Sequence, residues 1–255
     1  MPLPSRSAFL ALLCAGVTLR AEDPALPTAP QVWETDLCDW DAAALKEGDW
    51  VEYELSSPSI TAAPGKRPAR RFACVGLDGE TAWVEVTEKN AGPAKDGMVL
   101  ALGVSRETGR VTAAFWGRAG GRAIPVKPTA GAPGMPGGPL VTRPSVAGTG
   151  TVSREKVKSG AALLDCEKIE LRTELTSSCC NEKSRTTLWV SDKVPFPALV
   201  GERPLVKGVA AEIEWTGKPT VRGGLVRKSV FRNNATETMT LLRHGRDAAL
   251  TLSRP

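Results

Sequence analysis

The sequence DWVEYEL, at residues 49–55, decides the fold class. Its apolar side chains are Val51, Tyr53 and Leu55, and the acidic side chains between them are Glu52 and Glu54. Successive side chains of a β-strand point to opposite faces of the sheet. This alternation therefore predicts a strand with one face on a core and the acidic face in water.

Similar strands recur along the chain and are joined by turn sequences. Residues 71–77 and 81–87 flank Asp78-Gly79, a dipeptide that favours tight hairpins because both residues tolerate positive φ. Further strands are predicted at residues 98–104, 110–116, 164–175, 186–190, 209–215, 225–232 and 236–243. With about nine strands at regular spacing, and with sequence neighbours usually pairing, we predict a mainly β fold. Its form is a single curved or partly closed antiparallel sheet.

A short N-terminal helix is predicted immediately before the first strand, at residues 41–48. Asp41 can cap the free N–H groups at its start, and Gly48 can adopt the left-handed conformation that ends a helix. Two further carboxylates, Asp36 and Asp39, lie just before it. We interpret this acidic cluster as helix capping and not as a metal site, because it lacks the glycine and distal glutamate of a calcium loop.

The N-terminus has the pattern of a secretory signal peptide at residues 1–21. Arg6 precedes an apolar run over residues 8–17, which is too short to span a bilayer. We expect secretion to the periplasm or the exterior. Cys14 offers lipid anchoring as a second option, disfavoured because Leu13 is large where a lipoprotein signal has a small residue. No membrane span is expected after the signal is removed.

The mature chain is expected to be one domain with two irregular segments. Residues 22–34 are rich in proline and alanine and read as a flexible leader. Residues 127–150 contain five prolines among many glycines and read as a loop. This loop either divides two small domains or interrupts one β-rich domain at residues 35–255. We favour the single domain, because two small halves would each bury little surface.

The charge balance argues against a nucleic-acid partner. The 255 residues carry 33 basic and 28 acidic side chains, and two of the basic ones, Arg6 and Arg20, leave with the signal peptide. The remaining charges alternate with apolar residues along strands, whereas nucleic-acid binders concentrate theirs in a basic stripe.

Five cysteines remain in the mature chain, and export makes disulfides chemically accessible. By alternation Cys166 shares a face with Lys168 and Glu170, so we expect it to face away from the core. It could then pair with Cys179 or Cys180, although the pairing is not determined by the sequence.

No catalytic or cofactor-binding set is recognisable, so we expect neither enzyme activity nor a cofactor or metal. The single histidine, His244, lies near the end of a predicted strand between Arg243 and Arg246 and is interpreted as a surface residue. The chain has no G-x-S-x-G sequence and no lysine in a phosphate-loop context.

Two segments resemble a group of uncharacterised exported bacterial proteins. They are EGDWVEYEL at residues 47–55 and TTLWVSDKVPFPALVGE at residues 186–202. The arrangement is more distantly similar to the periplasmic lipoprotein-carrier, or LolA-like, half-barrel. That resemblance implies a concave sheet that holds acyl chains or other apolar ligands.

The resemblance leaves two roles open. The chain is expected to be a non-enzymatic envelope module that binds a partner protein or a surface, or a carrier or sensor of a lipid or lipidated ligand. Val194, Pro195 and Phe196 either form a kinked strand exit or line the mouth of a ligand site. The partner is accordingly an envelope protein or an apolar small ligand.

Overall fold

The computed structural model describes residues 28–32, 37, 40–92, 96–130, 145–176, 181–199 and 210–253. This part of the chain contains twelve β-strands and one three-residue 3-10 helix, Ala42–Ala44. The first six strands are β1 (Trp50–Ser56), β2 (Ala69–Asp78), β3 (Thr81–Lys89), β4 (Met98–Ser105), β5 (Val111–Arg118) and β6 (Ile124–Val126). The last six are β7 (Ser145–Ser159), β8 (Ala162–Thr176), β9 (Asn181–Ser191), β10 (Ala210–Thr216), β11 (Gly224–Arg232) and β12 (Ala235–Gly245).

All twelve strands belong to one unclosed sheet, in the order β10-β7-β8-β9-β11-β12-β1-β2-β3-β4-β5-β6. The prediction of a mainly β fold with one large, mostly antiparallel sheet is confirmed. One pairing differs, because β10 runs parallel to β7. The last hairpin returns the chain to the first strand, since β12 pairs with β1 and so joins the two halves of the sheet.

The strand β7 begins inside the segment that was predicted to be a loop. Residues 145–150 are extended and pair with both β8 and β10. The glycines there serve close packing: a Cβ at Gly148 would lie 2.1 Å from the Arg172 carbonyl oxygen, and one at Gly150 would lie 2.5 Å from the Trp215 ring. The prediction of a loop over 127–150 is therefore wrong at its C-terminal end, because strand glycines can mark close approach as well as turns. Residues 131–144 lie outside the described part.

The predicted helix at residues 41–48 is wrong, because only the single 3-10 turn forms. Asp41 makes no capping hydrogen bond through its side chain, and Leu45 is already extended. So short a segment cannot repay the cost of helix nucleation. Gly48 does adopt a positive φ of 89°, but it turns the chain into β1, and its N–H donates to the Cys74 carbonyl at 2.8 Å.

The predicted leader, residues 22–34, is described only at residues 28–32. Val32 is fully buried, and its carbonyl accepts a hydrogen bond of 2.7 Å from the Thr129 N–H. At Val32 the chain therefore packs against the core, contrary to the flexible leader expected there. The signal peptide and Cys14 lie outside the described residues.

One face of the sheet, called here the core face, carries the main hydrophobic core. Its centre is an aromatic cluster of Trp40, Tyr53, Phe72 and Phe196, which we call the aromatic plug. Tyr53 is fully buried and its hydroxyl donates to the Leu225 carbonyl at 3.0 Å. Burial raises the pKa of Tyr53, so the phenol stays protonated and keeps this hydrogen bond.

The opposite face carries cations stacked on tryptophan. Arg71 and Arg243 lie 4.6 and 5.9 Å from the centre of the Trp50 ring, and Arg227 lies 5.3 Å from that of Trp189. Both tryptophans of the two resemblance segments therefore contact cations, and Trp189 also packs against the edge of the main core. Such contacts contribute about 0.5–1 kcal/mol each at exposed sites.

Glu52 is the exception to the predicted wet acidic face, because it is only 5% exposed. Arg243 donates to both of its carboxylate oxygens, at 2.9 and 3.1 Å, and the Lys89 Nζ lies 3.4 Å away. Charge pairing with residues of β12 and β3 thus replaces water around this carboxylate of β1.

A small second core lies on the same side as Glu52, beneath residues 248–253. Val99, Ala101 and Leu252 are buried there. The buried carboxylate of Glu85 accepts hydrogen bonds from the Thr251 hydroxyl and from the N–H groups of Thr251 and Leu252. This carboxylate fixes the end of the chain across β3 and β4.

Cys166 is buried, so the prediction that it faces away from the core is wrong. β8 pairs with β9 only from Glu167 onward, whereas its first residues pair with β7 alone. This two-stranded tip reaches β12, where the Ser159 hydroxyl donates to the Leu241 carbonyl at 3.0 Å. Its packing buries Leu164 and Cys166. Cys166 is a free thiol in the structure. Cys179 and Cys180 lie outside the described residues, so a disulfide between Cys166 and one of them stays a prediction.

Within the described residues, the structure has no helix long and apolar enough to cross a membrane.

Candidate functional site

Two loop segments cover the core face and meet at the aromatic plug. The first contains Trp40 and the second contains Phe196, whose rings meet edge to face with centroids 5.1 Å apart. The Asp41 N–H donates to the Pro197 carbonyl at 2.9 Å, so the backbones of the two segments are also joined. The second segment is tied to β11, because the Gly224 N–H donates to the Val194 carbonyl at 2.8 Å.

The three residues that were considered for a ligand mouth all belong to this covered region. Val194 and Phe196 are 2% and 0% exposed, and Pro195 is buried between them. Phe196 has a φ of 71°, an uncommon conformation for an aromatic residue that persists only where surrounding contacts hold it. All three residues are thus buried, and none of them is among the lining residues of the cavity described next.

A cavity of about 300 Å³ opens on the core face beside the plug, which we call the N-terminal cavity. It lies between Pro30, Gln31 and Leu37 on one side and the strands β2 to β5 on the other. Its floor is an apolar row created by strand register, in which Phe72 pairs with Val86, Val86 with Leu100 and Leu100 with Trp116. The remaining lining residues are Pro30, Gln31, Leu37, Arg70, Glu88, Met98 and Leu102.

The described residues do not fully cover this apolar row. Val86 and Leu100 are partly exposed although they lie on the core face, because they face this cavity. Cavities of this size lie at the lower end of the range for small-molecule sites. For comparison, an apolar cavity of about 150 Å³ suffices for benzene.

One charged pair lies at the end of the apolar row. Arg70 and Glu88 are directly opposite on β2 and β3, and the Arg70 Nε donates to the Glu88 carboxylate at 2.9 Å. A second guanidinium nitrogen contacts the same oxygen. The lining therefore has no net charge, and its charged groups already satisfy each other.

The other polar residues considered in the sequence analysis do not form a site within the described part of the chain. His244 is exposed overall, but its ring is partly desolvated. This desolvation, and then the nearby Arg246, lowers the pKa of His244, which favours the neutral form. Asp36 and Asp39 lie outside the described residues. No group of three or more potential metal ligands occurs within the described residues.

Both described cysteines are buried and free, Cys74 in β2 and Cys166 in β8. Burial raises the pKa of each thiol to about 11. Since the thiolate is the reactive form, these thiols behave as small core residues and not as nucleophiles.

Comparisons with known proteins add little to this description of the site. No protein-family model matches the chain. No curated protein matches it either.

Two solved structures are weakly similar to this one. One is a protein proposed to be exported, with a YmcC-like fold, from Bacteroides fragilis; it is 12% identical with a TM-score of 0.31, and the match covers 79% of this chain and 97% of that one. The other is a proposed lipoprotein from Parabacteroides distasonis, 10% identical with a TM-score of 0.33, covering 81% and 99%. At such low TM-scores neither similarity carries an argument about this chain.

Proposed function

We propose that the chain is an exported, non-enzymatic binding module that holds a small, neutral, apolar ligand in the N-terminal cavity. The observation that carries the proposal is the continuous apolar row from Phe72 to Trp116, which stays partly uncovered on the core face. Burial of an apolar ligand on this row removes its surface from water, at about 25 cal/mol per Å².

The charges around the cavity favour a neutral ligand over an ion. Arg70 is opposed by Glu88, so an anion near the guanidinium would have to displace a carboxylate that is already bound. An uncharged ligand meets no such cost. A lipid chain or another hydrocarbon of modest length is the class that fits.

Export and a curved, half-barrel shape complete the proposal. Export rests on the signal-peptide pattern of residues 1–21. The half-barrel form is consistent with one unclosed sheet whose core face leaves room for a ligand beside Pro30, Gln31 and Leu37. A carrier or sensor of apolar molecules outside the cytoplasm is the role that unites these features.

The test is binding of a neutral apolar fluorescent probe, N-phenyl-1-naphthylamine, to purified protein. The Val86→Phe variant places an aromatic ring in the cavity, and we expect it to weaken probe binding at least tenfold. Native mass spectrometry of protein purified from an envelope then identifies any co-purified ligand.

The matched control is Val126→Phe, the same substitution on the core face but outside the cavity lining. It should change probe affinity less than twofold. Thermal unfolding establishes that both variants fold. If folded Val86→Phe binds the probe as the wild type does, the N-terminal cavity is not the ligand site.

A further inference from the structure

An open depression of about 460 Å³ lies over β7, β8, β9 and β11, away from the core face. Two exposed arginines line it, Arg172 and Arg185, and we call it the arginine pocket. Alternation along β9 places Arg185 on the same face as Trp189, opposite the core face. The arginine pocket shares no lining residue with the N-terminal cavity.

Strand register places the two arginines side by side. Arg172 on β8 lies directly opposite Arg185 on β9. Directly opposite residues of neighbouring strands have Cβ atoms about 4.5–5.5 Å apart, and like charges in these positions destabilise a sheet. The row continues to Thr149 on β7 and to Phe231 on β11, which are both uncharged. Neither end of the row therefore offers a carboxylate to the two guanidinium groups.

The carboxylates that flank Arg172 on its own strand are already paired with lysines. Glu170 and Glu174 lie two residues to either side of Arg172, on the same face of β8. Glu170 lies 3.1 Å from the Lys168 Nζ, and Glu174 lies 3.5 Å from the Lys183 Nζ. Within the described part of the chain, neither Arg172 nor Arg185 forms a salt bridge or a side-chain hydrogen bond. The arginine pair therefore keeps its donors free for a ligand.

From this arrangement we infer that the arginine pocket binds a phosphate monoester. Such a group carries nearly two negative charges at neutral pH, so one phosphate can satisfy both guanidinium groups and offset their repulsion. Guanidinium groups also match phosphate oxygens with two parallel hydrogen bonds. The Phe231 side chain is 46% exposed beside Arg185 and offers an apolar surface to the organic part of the ester. The inference does not depend on a ligand in the N-terminal cavity.

The experiment compares three soluble probes by isothermal titration calorimetry. Phenyl phosphate carries two charges and a ring, benzoate carries one charge and a ring, and inorganic phosphate carries the charges without the ring. We expect phenyl phosphate to bind about tenfold more tightly than benzoate, because a single negative charge satisfies only one guanidinium group. It should bind about threefold more tightly than inorganic phosphate, because its ring packs on Phe231. Equal affinities for phenyl phosphate and benzoate would overturn the inference.

Variants then locate the site. Arg172→Gln and Arg185→Gln should each weaken phenyl phosphate binding about tenfold, the equivalent of one lost charge-assisted hydrogen bond. The matched control is Arg222→Gln, which removes an exposed arginine outside the arginine pocket and should change the affinity less than about twofold. In phosphate-free buffer Arg172→Gln and Arg185→Gln should unfold at no lower temperature than the wild type, because each removes a like-charge contact. Affinity that is unchanged in both variants would exclude the arginine pair as the site.

Co-sedimentation with vesicles distinguishes a lipid headgroup from a soluble ester as the source of the phosphate. The vesicles contain phosphatidylcholine with or without phosphatidic acid, whose headgroup is a phosphate monoester. Co-sedimentation that requires phosphatidic acid and is lost when Arg172→Gln and Arg185→Gln are combined assigns the lipid. Phenyl phosphate binding without co-sedimentation assigns a soluble ester. Absence of binding in both assays would overturn the inference.

The Val86→Phe variant keeps this inference separate from the proposed function. It should bind phenyl phosphate as the wild type does, because Val86 lines only the N-terminal cavity. Loss of phenyl phosphate binding in folded Val86→Phe would place the ester in the N-terminal cavity and overturn the inference. None of these results depends on binding of N-phenyl-1-naphthylamine, so the two proposals fail separately.

Discussion

Within the described residues, the core face carries the N-terminal cavity, of about 300 Å³, and a cavity of about 340 Å³ over β8, β9 and β11, called the C-terminal cavity. Their volumes are similar but their chemistry differs. In the N-terminal cavity the register places Arg70 opposite Glu88, so the charges cancel. In the C-terminal cavity it places Arg232 opposite Ser184, so a positive charge remains. The charge of a cavity on a sheet therefore depends on which charged residues line it and on whether strand register places opposite charges side by side.

The aromatic plug is the structural reason that the two cavities remain separate. Phe72 belongs both to the plug and to the floor of the N-terminal cavity, whereas Ala198, two residues after Phe196, lines the C-terminal one. A substitution in the aromatic plug should therefore have the largest effect on the separation of the two cavities.

The largest effect is expected from Phe196→Ala. Phe196 is fully buried and contacts Trp40 and Phe72, so its removal leaves a large void and should lower the free energy of unfolding by about 3–5 kcal/mol. Urea denaturation measures this change. The variant should also lose the distinction between neutral and anionic ligands, because the partition between the cavities is gone.

Phe231→Ala is the matched control for this substitution. Phe231 lies on β11 and is 46% exposed, so its loss should lower the free energy of unfolding by less than about 1 kcal/mol. Equal destabilisation by the two substitutions would show that the plug has no special role.

Sequence patterns could predict most of the sheet but not the plug. Alternation and turn dipeptides identify the hairpins, because both depend on residues close in sequence. The plug joins Trp40 to Phe196 across 156 positions, and the flanking segments form no regular element that a periodicity could reveal. The parallel pairing of β10 with β7 is equally invisible, because it joins strands that are distant in the chain.

An intermediate effect, on ligand affinity, should follow from Glu88→Gln. This substitution makes the two cavities alike in carrying a positive charge. Arg70 then carries an uncompensated positive charge, and the N-terminal cavity should gain affinity for decanoate by about tenfold. Titration calorimetry in the Arg232→Gln background separates this gain from binding in the C-terminal cavity. Adding Arg70→Gln should abolish it, and a gain that survives that change would assign the effect to another group.

The smallest effect concerns the attachment of the β10–β11 connection in the C-terminal half. The buried Glu167 carboxylate accepts hydrogen bonds from the Thr220 N–H and hydroxyl, both at 2.8 Å, and from the Val221 N–H at 3.0 Å. Burial alone would raise the pKa of Glu167, but these hydrogen bonds outweigh it and hold the pKa below its ordinary value. The carboxylate therefore stabilises the fold in its ionised form.

The sign of the pH dependence follows from the lowered pKa. The contribution is complete above the ordinary glutamate pKa, about 4.3, and is lost as the pH falls through the lower folded value. We expect Glu167→Gln to cost about 1 kcal/mol at neutral pH, and the difference from wild type to shrink below about pH 4. Thr220→Val, which keeps the carboxylate but removes one hydrogen bond, should reduce the pH-dependent part. A difference that is constant with pH would exclude Glu167 as its source.

The cavities themselves were only partly predictable. The Asp78-Gly79 turn fixes which residues of β2 and β3 can pair near it, but a bulge at Val75 shifts the register before Phe72 reaches Val86. Alternation alone cannot place that extra residue. Likewise, the tip of the β7–β8 hairpin extends beyond β9, so Cys166 is buried although its position in the alternation is that of Lys168.

Binding of N-phenyl-1-naphthylamine and of decanoate to four proteins, the wild type, Val86→Phe, Arg232→Gln and the double variant, shows directly whether the two cavities favour different ligands. Distinct cavities predict that Val86→Phe weakens binding of N-phenyl-1-naphthylamine but not of decanoate, that Arg232→Gln weakens binding of decanoate alone, and that the double variant weakens both. Loss of both probes in either single variant would contradict the claim, because it would show one shared site.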